Sequence, residues 1–231
     1  MQKSNPLHAL FSEKKMVLVA SLPANDPALA RAAASAGADA LKVHLNVQHA
    51  ASGTVFGSFA EEKTNLKKIL SSVSIPVGIM PGADTVATMQ EMEDMNKMGI
   101  VFFDIYDYHM PDEYWGLAGM EKMIAVGEAS GEDAVEHLKS RGAWFLEASV
   151  VPHDRYGDRL TMSDLVTYSG IVERFGGMVT VPTQKNILPQ EVRMLHSAGV
   201  RGLMIGKIVT GDTPLSVRDA TSRFRKAIQG L

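Results

Sequence analysis

The chain contains no cysteine. That absence excludes a disulfide framework, a thiolate metal site and a cysteine nucleophile, and it agrees with a cytoplasmic protein. Nowhere do the ~18 apolar residues of a membrane span run together, and residues 1–15 lack the apolar stretch of a secretory signal. Neither sign of charge dominates: 23 Lys and Arg stand against 26 Asp and Glu, a formal net charge of −3. No basic field is available to hold nucleic acid or anionic lipid, so the expected partners are small molecules. The motifs GxSxG, HxH, HExxH and GxGxxG are missing as well. What remains is an ordinary globular mixture, 45% hydrophobic and 21% charged over 231 residues, which reads as one domain spanning 1–231.

Eight short apolar, β-branched runs recur along the chain: Met16–Pro23, Ala40–Asn46, Ile75–Met80, Ile100–Tyr106, Lys122–Glu128, Ala143–Val150, Met178–Pro182 and Arg201–Gly206. Their starts lie between 21 and 35 residues apart, the length of a strand, a helix and two loops. Such an alternation predicts a (β/α)8 TIM barrel, an α/β fold. An open doubly wound sheet alternates in the same way, but its glycine-rich turn after the first strand is absent. Gly37, Gly99, Gly142 and Gly199 each stand between a helical stretch and the next run, where a left-handed cap favours glycine. The segment Asn5–Lys15, with Leu7, Leu10 and Phe11, reads as a short helix plugging the bottom of the barrel. Long connections at Val47–Asn65 and Val151–Thr161 are the places for substrate contacts.

Reacting groups in such barrels stand at the C-terminal ends of strands, and alternation separates inward from outward side chains. In the second run Leu41, Val43 and Leu45 form an apolar face, leaving Lys42, His44 and Asn46 on the other. A lysine inside a strand is costly to bury without a carboxylate or an anion beside it. Phe102, Asp104 and Tyr106 share one parity in the fourth run, Phe145, Glu147 and Ser149 in the sixth, and the fifth ends at Glu128. Lys42, His44, Asp104, Glu128 and Glu147 are therefore the catalytic candidates. The same residues would also make a structural ion-pair network, and Met123, Ala125 and Gly127 compete with Glu128 for the inward side. The eighth run leads into "MIGKIVTGDTP" and the seventh into "TQKNILPQE". There Gly206, Lys207, Thr183, Gln184 and Lys185 suggest a site for a phosphorylated ligand, with Thr213 and Pro214 opening the last helix. Asn46 is a further substrate-binding candidate. No cofactor is indicated; His44, His49, His109 and His153 lack metal-ligand spacing, and a divalent metal on Asp104, Glu147 and His44 is the weakest alternative.

The segments "MIAVGEASGEDAVEHLKSRGAWFLEASVV" and "VPTQKNILPQEVRMLHSAGVRGLMIGKIVTG" resemble the phosphate-binding (β/α)8 barrels, and within them the N-acylglucosamine-6-phosphate 2-epimerases that act on N-acetylmannosamine 6-phosphate. "ASAGADALKV" is similar to that family's second strand, with Lys42 where arginine is usual, and "FFDIYD" puts Asp104 on its aspartate. The resemblance implies a sugar-phosphate isomerase or epimerase and a homodimer. Two departures stand against the same reaction: the family's lysine after strand three and glutamate after strand seven are replaced here by Pro81 or Gly82 and by Thr183. The reading that follows is proton transfer beside a carbonyl of a small phosphorylated compound, with Glu147 or Glu128 as base and Lys42 or His44 polarising the oxygen. A Schiff-base or metal-dependent lyase or aldolase, and a catalytically silent barrel that binds phosphorylated ligands, are the alternatives.

Overall fold

A computed structural model describes residues 5–231, so residues 1–4 of the stretch read for a leader lie outside the described residues. The chain runs α1 (Pro6–Glu13), β1 (Val17–Ser21), α2 (Pro27–Ser35), β2 (Ala40–His44), β3 (Val47–His49), β4 (Thr54–Phe56), α3 (Phe59–Ser72), β5 (Val77–Met80), α4 (Met89–Met98) and β6 (Ile100–Tyr106). It continues with β7 (Glu121–Gly127), α5 (Ala134–Ser140), β8 (Phe145–Ser149), α6 (Met162–Phe175), β9 (Met178–Pro182), α7 (Val192–Ser197), β10 (Gly202–Ile205), α8 (Lys207–Thr210) and α9 (Pro214–Gln229). All eight runs are parallel strands of one closed barrel, ordered β1-β10-β9-β8-β7-β6-β5-β2, with β1 pairing both β10 and β2. Closure removes the open-sheet alternative. The protein is a (β/α)8 barrel.

Two apolar layers follow from strand alternation. Outward residues such as Leu41, Val43, Ile79, Phe103 and Val181 pack against the helices. Inward residues Val17, Val19, Ala40, Phe102, Met123, Phe145 and Met204 fill the lower barrel together with Leu7 and Phe11, so α1 is the expected plug. Gly78 leaves room for the Phe102 ring, since a Cβ there would lie 2.2 Å from it. The helix-to-strand joints behave as their spacing predicts: Gly37, Gly99, Gly142 and Gly199 all have positive φ. Thr213 caps α9, accepting from the Ser216 amide, with Pro214 in its first turn.

The connection after β2 holds more structure than expected. β3 and β4 form an antiparallel hairpin, Val47 against Phe56, around a turn at Ser52 and Gly53. Asn46 starts it in a left-handed conformation (φ 49°), its amide bonded to the Gly57 carbonyl and its side chain donating to Pro81 O. Among the described residues no helix is long and apolar enough to cross a membrane.

Candidate active site

Alternate strands of the barrel, β2, β6 and β8, bring three titratable side chains to one point inside it. Lys42 on β2 donates from Nζ to Asp104 Oδ2 on β6 (2.6 Å) and to Glu147 Oε2 on β8 (2.8 Å), and all three side chains are buried. They stand one level above the apolar filling, at the position along each strand where the interior opens toward the C-terminal mouth. A cavity of about 220 Å³ sits over them. Lys42 and Glu147 line its floor, Ser21, Met204 and Gly206 one side, and Tyr106, Tyr108 and Tyr156 the other.

Burial and pairing set the charge states. Burial by itself would lower the Lys42 ammonium, but Asp104 and Glu147 outweigh it and hold its pKa above the ordinary lysine value. Burial raises Asp104 well above the carboxylate range, and the neighbouring Glu147 charge raises it further. Burial also pushes Glu147 up, yet the Lys42 charge prevails and leaves it below the usual value. Beside the Lys42 ammonium, ionisation is thus opposed at Asp104 and favoured at Glu147, which limits the meeting of two like charges in one dry site. Asp104 Oδ1 is buried without a hydrogen-bond partner.

Polar groups on the rim are tied into one network. Tyr106 OH pairs with Ser149 Oγ (2.7 Å), and Gln184 Nε2 donates to Ser149 Oγ (2.9 Å) and Tyr156 OH (2.6 Å). Burial, with Glu147 next, keeps the Tyr106 phenol protonated; burial and Asp107 lift Tyr108 to about 12. On the hairpin side, His49 shares a proton with Ser52 Oγ (2.9 Å) and its ring lies 4.5 Å from that of His44. Burial first and the Lys42 charge next lower His49 to about 4.

Several expected site residues stand elsewhere, each for a physical reason. Glu128 lies one residue past β7 and is exposed on the rim, because Met123 takes the inward parity of that strand. His44 does point inward, but the hairpin covers it: Phe56 packs 4.7 Å from its ring, and it is not among the cavity residues. Asn46 is used to turn the chain into β3. Lys207 extends from α8 back to the hairpin, donating to Ser52 O (3.0 Å) and pairing with Asp212 (3.1 Å). Lys185 turns away from the mouth into a separate cavity. Thr183, Gln184 and Gly206 do line the mouth, with Thr183 Oγ1 accepting from the Gly206 amide (2.9 Å). Among the described residues no three His, Asp or Glu side chains are grouped as a metal would require, since the Lys42 ammonium occupies the gap between Asp104 and Glu147. Sequence reasoning missed the roles of His49 and Tyr156. His49 belongs to a strand too short to announce itself, and Tyr156 to a loop where alternation gives no direction.

Barrel closure, a charged floor at the C-terminal mouth and a lined cavity above it are the anatomy of enzymes built on this fold. No family model matches the chain, and no curated protein matches it. Solved structures do. Thiamine phosphate pyrophosphorylase from Pyrococcus furiosus aligns with a TM-score of 0.67 at 15% identity, covering 94% of this chain and 97% of that one. Phosphoribosyl anthranilate isomerase from Thermotoga maritima gives 0.68 at 16% identity, covering 94% and 100%. Tryptophan synthase from M. tuberculosis gives 0.69 at 11% identity, covering 98% of each chain. At such identities the shared property is the fold. The resemblance to the epimerases rests on sequence motifs alone.

Proposed function

We propose that the protein is an isomerase of a small phosphorylated carbonyl compound, working by proton transfer at the carbon next to the carbonyl. The observation that carries this reading is the Lys42–Asp104–Glu147 triad, with an ammonium and a carboxylate both facing the cavity. Glu147 takes the proton from carbon, and the Lys42 ammonium stabilises the charge that develops on the carbonyl oxygen. The proton then returns from Glu147 to the neighbouring carbon, while a proton moves between the two oxygens. Asp104 does not line the cavity; it positions Lys42 through its hydrogen bond. One base on one face suits a 1,2-shift. Epimerisation needs a second proton donor, for which the Tyr106 and Tyr156 phenols lining the cavity are the groups at hand.

The phosphoryl end is assigned to Thr183 and Gly206, beside the short extra helix α8 that follows β10. Barrels of this type hold phosphate in the loops after their seventh and eighth strands, next to such a helix. The proposed chemistry uses only this chain's own groups. A Schiff-base lyase is less well supported, because an amine gripped by two carboxylates keeps its proton and has no lone pair to offer. A thermal-shift series over aldose and ketose phosphates and their unphosphorylated counterparts tests the reading. The phosphorylated compounds raise Tm and the free sugars do not, and borohydride added with the best binder leaves no adduct on Lys42. Equal shifts from both sets, or a trapped adduct, would refute it.

A further inference from the structure

A second cavity, of about 160 Å³, lies outside the barrel wall between the connection that follows β8 and the first turns of α6. It shares no residue with the mouth, because the connection alternates its side chains: Ser149 and Tyr156 face the mouth, while Val150, Val151 and Arg155 face the second cavity. At ~30 Å³ per water it has room for about five waters or one small ion with its shell.

Its lining includes Asp164, Ser163 and Thr167, yet two of its buried donors are left unpaired. Lys185 and Tyr168 are both buried, and neither Lys185 Nζ nor Tyr168 OH has a hydrogen-bond partner. Buried polar atoms left in this way are rare, and an ammonium and a phenol are both donors. Arg155 adds a second cation to the lining. The acids nearby are already engaged. Asp164 accepts from the amide and hydroxyl of Thr161, capping α6. Asp158 lies 3.6 Å from Lys185 Nζ, but its side chain is half exposed and the same oxygen meets Arg155 Nε at 3.3 Å. Asp158 thus stands where an anion would be expected, at ion-pair distance from Lys185 without a hydrogen bond to it.

We infer that this cavity is a binding site for a tetrahedral oxyanion of the phosphate or sulfate type, held by the Lys185 ammonium and the Tyr168 hydroxyl, with Arg155 at the entrance. It does not depend on the function proposed for the mouth. The two cavities are nonetheless joined through the backbone: the Gly157 amide donates to Gln184 O (2.8 Å), the Asn186 amide to Asp158 O (2.8 Å), and Gln184 holds Tyr156.

Calorimetric titration with inorganic phosphate, and with sulfate, at constant ionic strength tests the site. The wild type binds; Lys185→Met weakens binding at least tenfold; Tyr168→Phe weakens it several-fold while keeping the ring that packs α6. Gly206→Val, which fills the mouth where a Cβ meets nothing closer than 3.9 Å, removes any ion held there and leaves the Lys185-dependent binding in place. If Lys185→Met does not fold, Tyr168→Phe decides the matter by itself. Binding that survives both Lys185→Met and Tyr168→Phe in the Gly206→Val background, or no binding to the wild type, would overturn the inference. Binding abolished by Gly206→Val alone would place the ion in the mouth, overturning this site while leaving the phosphate assignment of the proposed function in place.

Discussion

Lys42 is gripped by two carboxylates that do unequal jobs. Lys42 favours the charged form of Glu147, whereas burial and the neighbouring Glu147 oppose ionisation of Asp104. Asp104→Asn keeps the shape, removes the carboxyl whose ionisation is opposed and leaves the Lys42–Glu147 pair in place, so it costs about 1 kcal/mol of stability. Lys42→Met strands the remaining carboxyl groups and costs about 3–5 kcal/mol at neutral pH. That deficit shrinks as the pH falls and the carboxyls take up protons. Urea unfolding of both variants at pH 5 and pH 7.5 checks the contrast; equal losses for the two would contradict the assigned charges. These three residues were legible because each sits inside a strand whose other face is plainly apolar, so alternation pointed them inward. Glu128 and Asn46 lie past strand ends, where alternation no longer applies, and Lys185 is read from its loop alone; the structure sets Glu128 on the rim, uses Asn46 to turn the chain and points Lys185 into a separate cavity.

Elements explain what a residue-by-residue reading leaves unclear. The helix α1 stabilises the barrel by seating Leu7 and Phe11 under the inward side chains of β6, β7 and β8. Phe11→Ala opens a cavity there and costs about 3–5 kcal/mol in chemical denaturation, as large-to-small core changes do. Gly78 on β5 and Phe102 on β6 fit as a pair, so Gly78→Ala costs about 1–3 kcal/mol by overpacking. Combining it with Phe102→Leu recovers part of that loss, and a double-mutant cycle with no coupling would contradict the pairing. The plug was readable in advance from Leu7, Leu10 and Phe11. The hairpin was not: β3 and β4 have three residues each, too few for a period to show, although Ser52-Gly53 between them is a turn signal.

Over the whole molecule, the spacing of eight strand-like runs determined the architecture, because each β/α unit has nearly the same length and the same glycine-capped joint. The net charge of −3 gave no hint that a buried ammonium sits at the centre of the mouth, and charge totals never reveal such local arrangements. Stability of the whole chain should respond to the two histidines under the hairpin. His49, lowered to about 4 by burial and Lys42, and His44, lowered well below the ordinary value by burial and His49, are neutral in the folded state. The unfolded chain binds those protons near the ordinary histidine pKa of ~6.5, so their contribution is intact above that pH and is lost as the pH falls from about 6.5 toward 4. His49→Gln flattens that part of the stability profile; an unchanged slope in thermal unfolding across this window would contradict it.

Glu147 as the base that moves a proton beside a carbonyl is the central claim, and deuterium incorporation tests it most directly. The phosphorylated carbonyl compound that binds best is incubated with the protein in D2O and followed by proton NMR. The account predicts exchange at the carbon next to the carbonyl with the wild type, and at least a hundredfold slower exchange with Glu147→Gln, whose Tm shift with the same compound is retained. Exchange at the wild-type rate in Glu147→Gln, or none in a wild type that binds the compound, would contradict it.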